Sequence, residues 1–140
     1  MSLLKKDQEF RHYFYVSEKI YNGFMEIFGD RNCLHTDLNF ARQKGFKDKV
    51  MHGNILNGFL SYAIGECLPF KNVMIYRQEI QYFKPVYLND ELEMILTVDD
   101  VFDSLNTIEL RYFFENKEKQ IVAKGKIGRA SCRERVYVLV

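Results

Sequence analysis

The pattern of hydrophobic and polar residues predicts helices in the first half of the chain and strands in the second. Residues Phe10 to Val16 are aromatic and β-prone, which indicates an opening strand. Ser17 can cap a following helix, whose apolar residues recur at helical spacing: Ile20, Tyr21, Phe24, Ile27 and Phe28. We expect this helix to end near Gly29.

A second long helix is predicted from Asn54 to Leu68, after a short helical turn at Leu38 to Gln43. One of its faces is apolar and the other carries small or polar residues, with no charge before Glu66. A helix without a charged stripe is expected to be enclosed on nearly all sides.

The rest of the chain supplies strands that could enclose it. Four segments are predicted to be strands: Val73 to Phe83, Glu91 to Phe102, Leu105 to Glu115 and Gln120 to Lys126. Short polar turns connect them, so we expect antiparallel neighbours. An antiparallel sheet wrapped around one long central helix is an α+β hot-dog fold, and a generic α+β sandwich is the alternative.

Composition narrows the functional classes. The 140 residues suit one domain, and a formal charge of +1 provides no general field for nucleic acid or an anionic membrane. No signal-peptide pattern and no apolar run of the ~20 residues that a spanning helix needs is present. The three cysteines are widely spaced, which argues against a disulfide framework and a cysteine zinc site. We therefore expect a cytoplasmic protein that binds neither nucleic acid nor a membrane.

Two polar loops carry the candidate chemistry. Asp30 and His35 lie five residues apart in the first loop, and Val50 to Gly53 forms the second, which opens the long helix. A carboxylate and an imidazole can jointly hold one water, take its proton and return one to carbon. The backbone N–H of Gly53, at the positive end of a helix, can stabilise a developing oxyanion.

These residues resemble a known family. The segment Phe28 to His35, with Ala41 six residues further on, resembles the hydratase-2 motif of MaoC-like dehydratases, G-D-x-N-P-[LIV]-H-x(5)-[AS]. Two later segments resemble further landmarks of that family: Gly45-Phe46 followed by Val50 to Gly53, and Tyr82 to Tyr87. The resemblance implies a single MaoC-like hot-dog domain over residues 1–126.

The resemblance also implies an activity, that of an (R)-specific enoyl-thioester hydratase. Asp30 and His35 would bind the water that adds reversibly across a trans-2-enoyl thioester, giving the (R)-3-hydroxyacyl thioester. Gly53 would polarise the thioester carbonyl, and Asn32 and His52 would support substrate binding by shaping the two loops. The acyl carrier would be coenzyme A or acyl carrier protein, with no metal or other cofactor. The sheet edges would pair in a homodimer.

Simpler structural roles remain open for several of these residues. Asp30 alone could be a turn residue, and His35 a partly buried loop histidine. His52 is expected to orient its turn by hydrogen bonding rather than to exchange protons. Cys33 stands where the family usually has proline, and we expect it to pack there rather than to act as a nucleophile. Ser61 is expected to permit close packing.

Four basic residues lie in the sequence between the two candidate loops, and they have two explanations: Arg42, Lys44, Lys47 and Lys49. They could bind the phosphates of coenzyme A or an acidic carrier protein, or they could belong to a solvated loop.

Two other functions fit a hot-dog fold. A thioesterase would also use a His-Gly turn before the central helix, but such enzymes usually place a carboxylate on that helix, and Asn54 to Gly65 contains none. A non-catalytic acyl-binding subunit would not need the Asp30 and His35 pair.

The C-terminal segment, residues 127–140, is doubtful as native sequence. Ile127 to Val136 resembles the conceptual translation of a common sequencing-library adapter, and Arg129 to Arg135 lacks an inward apolar series. The alternative is a genuine basic tail ending in a short strand, Val136 to Val140.

Overall fold

A computed structural model describes residues 4–69 and 73–128, and the backbone of 137–139. The helices are α1 (Glu18–Phe28), α2 (Cys33–Thr36), α3 (Leu38–Gln43) and α4 (Asn54–Tyr62), the last continued by a π-helical turn at Ala63–Cys67. The strands are β1 (Glu9–Tyr15), β2 (Val73–Ile75), β3 (Gln78–Tyr82), β4 (Glu91–Phe102), β5 (Thr107–Glu115), β6 (Ile121–Ile127) and β7 (Tyr137–Leu139).

Five strands form an antiparallel sheet in the order β1-β4-β5-β6-β3, and β7 pairs in parallel with β2 and β5. Alternation along the strands turns apolar side chains toward α4, and the resulting core is fully buried at positions such as Leu60, Leu92, Leu96, Leu110 and Phe114. This is the predicted α+β hot-dog arrangement, in which one sheet packs around a central helix.

The sequence signals at the ends of α1 are confirmed. The Ser17 hydroxyl accepts a hydrogen bond from the Ile20 N–H at 3.2 Å, as expected of an N-cap. Gly29 ends the helix with a φ of 76°, a left-handed conformation that glycine adopts without steric cost. The chain therefore leaves α1 in a defined direction, directly before Asp30.

Two expectations about the strands are wrong. The segment Val73 to Phe83 is not one strand but two, β2 and β3. In addition, β3 is not a neighbour of β4, because it pairs with β6 at the far edge of the sheet. The connection after β3 explains this: it runs past the start of α4, where the Val86 carbonyl accepts from Met51 N–H at 2.8 Å. The chain thus crosses to the other side before β4 begins.

The expectation that the long helix is enclosed on nearly all sides is also wrong for the single chain. Its apolar face is buried at Ile55, Leu56, Phe59 and Leu60, but the small-residue face is exposed at Gly58 and Ser61. That exposed face forms one wall of a groove described below. Among the described residues, no helix has both the length and the hydropathy needed to cross a membrane.

Candidate active site

The first loop is held together by two side-chain caps in series. Asp30 Oδ1 accepts a hydrogen bond from the Asn32 N–H at 3.1 Å, which closes a tight Asx turn. Asn32 Oδ1 in turn accepts from the Leu34 N–H at 3.0 Å and caps α2, the short helix that carries His35. The spacing between Asp30 and His35 therefore follows from local hydrogen bonds, and Asn32 supplies the link.

The imidazole of His35 is oriented by the second loop. Its Nδ1 lies 2.7 Å from the Val50 carbonyl oxygen, which can only accept, so Nδ1 carries the proton in the neutral ring. Its Nε2 then offers a lone pair toward Asp30 Oδ2, 3.7 Å away. This separation is too long for a direct hydrogen bond, but one water can contact both atoms. Asp30 is half exposed and His35 is 16% exposed, so the pair faces an accessible space.

His52 connects the second loop to the first through a hydrogen bond. Its Nε2 donates to the backbone carbonyl of Asp30 at 2.8 Å, and its side chain is only 3% exposed. Its ring packs in a tilted arrangement against His35, with centroids 4.0 Å apart, and against Phe24, with centroids 4.7 Å apart. The Nδ1 atom is buried with no partner among the described residues. The expected orienting hydrogen bond is therefore present, and it reaches Asp30 rather than the turn of His52 itself.

Gly53 lies where α4 begins, and the first N–H groups of a helix have no carbonyl one turn earlier to bind. A Cβ atom at this position would approach the Tyr82 ring to 3.0 Å, which is closer than ordinary contact. Glycine therefore allows Tyr82 of β3 to lie against the turn and leaves the backbone accessible.

Tyr82 and its hydrogen-bonded neighbours also lie beside these loops, and the sequence alone does not predict them as part of the site. Asn57 Nδ2 contacts the Tyr82 hydroxyl at 3.5 Å and Asn54 Oδ1 at 2.8 Å, while Gln78 Nε2 donates to Asn57 Oδ1 at 2.6 Å. Partial burial raises the pKa of the Tyr82 phenol, and the hydrogen bond with Asn57 partly offsets this. The available signal was the position of Tyr82 at the start of the third family landmark.

Two spaces meet at this pair of loops. One is a groove of about 1230 Å³ between α1 and α4, with Asp30 and Asn54 among its lining residues. The other is a cavity of about 340 Å³ lined by His35, Gly53 and the segment from Tyr82 to Val86. Asp30 and His35 thus stand at the junction, where a long molecule could extend to both sides.

The remaining candidates lie outside this junction. Cys33 and Ser61 are exposed, and Cys33 is a free thiol at the first residue of α2. Three of the basic residues rest on aromatic rings: Lys44 on Phe40, Lys47 on Tyr87 and Lys49 on Tyr21, with nitrogen-to-centroid distances of 4.6–5.4 Å. Cys132 lies outside the described residues.

Asp30, His35 and His52 are also the residues at which a metal ion could bind, since one donor atom of each lies within 4.8 Å of the others. A tetrahedral zinc site needs donors converging at roughly 2.0–2.2 Å from the ion. Here the two imidazole planes are tilted by 32°, and one nitrogen of each ring already pairs with a backbone carbonyl, His35 Nδ1 with Val50 and His52 Nε2 with Asp30. The other nitrogen of each ring and Asp30 Oδ2 are the atoms left to bind an ion or to carry a proton.

Comparison with known proteins gives consistent results. The family model described as "MaoC like domain" matches residues 2–118. The 3-hydroxybutyryl-CoA dehydratase of Methylorubrum extorquens is 32% identical over 79 residues, covering 56% of this chain and 50% of that protein. The (R)-specific enoyl-CoA hydratase of Aeromonas caviae is 32% identical over 70 residues, covering 50% and 52%. The chain thus matches about half the length of these relatives.

Solved structures resemble the fold over a longer span. The unliganded R-hydratase PhaJ1 of Pseudomonas aeruginosa superposes with a TM-score of 0.81 at 25% identity, covering 94% of this chain and 84% of that one. This neighbour extends the similarity beyond the segments matched by sequence.

Proposed function

Because the chain belongs to the MaoC-like domain family, we propose that it is a hydro-lyase that adds water to a trans-2-enoyl thioester and removes it from the (R)-3-hydroxyacyl thioester. The observation that carries this proposal is the pairing of His35 Nε2 with Asp30 Oδ2 at 3.7 Å, with the proton of His35 held at Nδ1. This pairing leaves two basic atoms facing one accessible position.

The chemistry at that position balances without a redox step. Water held between Nε2 and Oδ2 attacks C3 of the enoyl group, and one O–H bond breaks as its proton passes to the pair. The electrons of the C2–C3 double bond move toward the thioester oxygen, where the Gly53 N–H and the start of α4 stabilise the negative charge. The pair then delivers a proton to C2. Dehydration follows the same steps in reverse.

The cavity beside Gly53 suits the thioester arm. Its walls include His35, Gly53 and Lys84. A thioester whose carbonyl oxygen binds at Gly53 can therefore extend its sulfur atom into this cavity. Lys47 and Lys84 also line an adjoining depression, where they could contact the phosphate of a phosphopantetheine arm. Coenzyme A and acyl carrier protein both carry this arm, and either is a suitable carrier.

We further propose a homodimer in a reducing cytoplasm. The outer strands of the five-strand path, β1 and β3, leave edges that a second copy could cover. The two cysteines within the described residues, Cys33 and Cys67, are free thiols, as a reducing compartment favours. A monomeric mass in light scattering at assay concentration would argue against the dimer.

Hydration of crotonyl-CoA tests the activity directly. We expect the enoyl absorbance to fall as (R)-3-hydroxybutyryl-CoA forms, with no free thiol released. Release of coenzyme A thiol instead would favour the thioesterase alternative. An unchanged substrate in the presence of a folded protein would favour the non-catalytic acyl-binding alternative.

A further inference from the structure

We propose that the Tyr82 hydroxyl is a second hydrogen-bond donor to the thioester oxygen of the substrate, acting beside the Gly53 N–H. This inference rests on the proposed function, because it assumes that negative charge develops on a thioester oxygen bound at Gly53. It goes further by assigning a catalytic residue on β3, a strand that supplies no group to the mechanism described above.

The Tyr82 ring lies directly against the Gly53 backbone. A Cβ atom built at Gly53 would lie 3.0 Å from ring atom Cε1, 3.1 Å from Cζ and 3.4 Å from the hydroxyl oxygen. The Cβ and N atoms of one residue are about 2.5 Å apart, so the phenol oxygen lies at most about 6 Å from the Gly53 nitrogen. Two donors that each bind one oxygen at about 2.9 Å can be up to about 5.8 Å apart. The two donors are therefore close enough for one thioester oxygen to accept from both.

Both donors are accessible to a ligand. Gly53 is exposed, and Tyr82 is 50% exposed. Both residues line the cavity of about 340 Å³ that also includes His35. Within residues 4–69 and 73–128, the structure shows no acceptor for the Gly53 N–H or for the Tyr82 O–H. Each proton is therefore left to bind a ligand atom in this cavity.

Hydrogen bonds around Asn57 leave the phenol proton available. Gln78 Nε2 donates to Asn57 Oδ1 at 2.6 Å, which orients the Asn57 amide. The Nδ2 atom of Asn57 then faces Asn54 Oδ1 at 2.8 Å and the Tyr82 oxygen at 3.5 Å. An amide NH₂ group can only donate, so Tyr82 accepts from Asn57 and keeps its own proton for another partner. Successive hydrogen bonds polarise one another, and this chain ends at the phenol proton.

The phenol of Tyr82 stays protonated while it donates. Partial burial raises the pKa of Tyr82 above the usual tyrosine value, and the hydrogen bond with Asn57 offsets part of this rise. The hydroxyl therefore stabilises the oxyanion without losing its proton. A donor already in place when negative charge develops acts on the transition state more than on the bound substrate. The expected effect is on kcat rather than on KM.

The test removes the hydroxyl and keeps the ring, in Tyr82→Phe. Tyr15→Phe is the matched control, because Tyr15 is 49% exposed and its hydroxyl also contacts an asparagine, donating to Asn89 Oδ1 at 2.7 Å. Tyr15 is at the end of β1 and does not line the cavity at Gly53. Asn57→Leu is a third variant, in which the phenol loses the amide that orients it. Circular dichroism checks that each variant is folded.

Three measurements are made on each variant. The first is kcat and KM for the hydration of crotonyl-CoA across a range of pH. The second is the apparent pKa of bound acetoacetyl-CoA, followed by the ultraviolet absorbance of its enolate, which carries negative charge on the thioester oxygen and needs no turnover. The third is the affinity of butyryl-CoA, a saturated thioester without a developing charge.

We expect Tyr82→Phe to lower kcat by at least about tenfold and to raise the apparent pKa of bound acetoacetyl-CoA by about one unit. Butyryl-CoA affinity and the shape of the pH profile should not change, since no proton leaves the phenol. Asn57→Leu should show a smaller change of the same kind, and Tyr15→Phe none. In a Gly53→Ala background the added methyl group displaces the ring, so Tyr82→Phe should cost less there.

The outcomes separate this inference from the proposed function. Hydration by the wild type with kcat and the enolate pKa unchanged in Tyr82→Phe would overturn the inference while the proposed function stands. A loss of butyryl-CoA affinity equal to the loss of kcat/KM would also overturn it, because the hydroxyl would then act in binding alone. If crotonyl-CoA is not hydrated but the enolate pKa depends on Tyr82, the donor role holds and the proposed function fails.

Discussion

The Nε2 atom of His52 donates a hydrogen bond to the backbone carbonyl of Asp30, so the residue before the central helix fixes the main chain of the proposed catalytic loop. The same imidazole packs against His35 with the two ring planes tilted by 32°. Through these two contacts, His52 touches both members of the proposed acid and base pair while its own side chain is only 3% exposed.

The proposed chemistry predicts large losses on changing either member of the pair. Asp30→Asn removes the carboxylate charge, and His35→Gln removes the imidazole base. We expect each to lower kcat for hydration by ~10²–10⁴-fold with the fold retained. Asp48→Asn, in the exposed loop that follows α3, is the matched control and should be neutral. Near-normal activity in a folded His35→Gln protein would exclude the mechanism.

The role of His52 predicts a different kinetic result. His52→Phe retains an aromatic ring but cannot donate to the Asp30 carbonyl, so the loop should shift by a fraction of an ångström. We expect kcat to fall by ~10²-fold with little change in KM, because misplaced catalytic groups slow the chemical step more than binding. His52→Gln, whose amide can still donate, should recover part of the loss. An equal loss of kcat in both variants would indicate that the imidazole of His52 itself takes part in the reaction.

Contact between Gly53 and Tyr82 predicts a compensating pair of mutations. Gly53→Ala keeps the backbone N–H but places a methyl group about 3.0 Å from the Tyr82 ring. We expect it to lower kcat/KM, and Tyr82→Leu to restore part of the loss because the smaller side chain makes room. A double-mutant cycle on kcat/KM measures this coupling. Additive effects would mean that the two residues act independently.

Sequence patterns predicted the parts of the fold that depend on neighbouring residues. The Ser17 cap and the left-handed Gly29 are local signals, and the structure confirms both. The strand predicted from Glu91 to Phe102 is also present as β4, but its burial does not alternate, and every residue from Leu92 to Val98 is buried. The pairing of β3 with β6 is a contact between distant segments, and every alternating strand offers similar edges. For this reason, sequence reasoning missed both the strand order and the contact of Tyr82 with Gly53.

The candidate site also has parts that depend on neighbouring residues and parts that depend on contacts between distant segments. Asp30, Asn32 and His35 are close in sequence, and Asp30 contacts both of the others in the structure. The exposed face of α4 was not foreseen, because small residues fit a packed interface as well as an open groove. Only the position of α1 shows that Gly23 and Gly58 line a common space.

Burial of Tyr112 predicts a loss of stability at high pH. Its hydroxyl donates to the Glu79 carbonyl at 2.8 Å, and burial raises its pKa to about 12. An unfolded tyrosine ionises near pH ~10, so its contribution is complete below that value and is lost as the pH rises toward the folded pKa. We expect the free energy of unfolding to fall between about pH 10 and about pH 12, and to fall less in Tyr112→Phe. The exposed Tyr76→Phe should match the wild type in urea denaturation.

The C-terminal segment predicts a difference in the source genome. Strand β6 continues to Ile127, which is fully buried and pairs with Leu110 of β5, so the fold uses the chain up to that residue. The backbone of 137–139 forms a short strand, whereas residues 129–136, including Cys132, lie outside the described residues. The proposed catalytic residues Asp30, His35 and Gly53 are all in the first half of the chain, so we expect the proposed activity to survive a change in this segment. We expect the gene to encode a different sequence from about residue 127 onward, most clearly where Arg129 to Arg135 lacks an inward apolar series. A natural continuation should instead alternate apolar and polar residues, as β4 and β5 do. Resequencing the locus measures this directly, and finding Ile127 to Val136 unchanged in genomic DNA would identify the segment as a genuine basic tail.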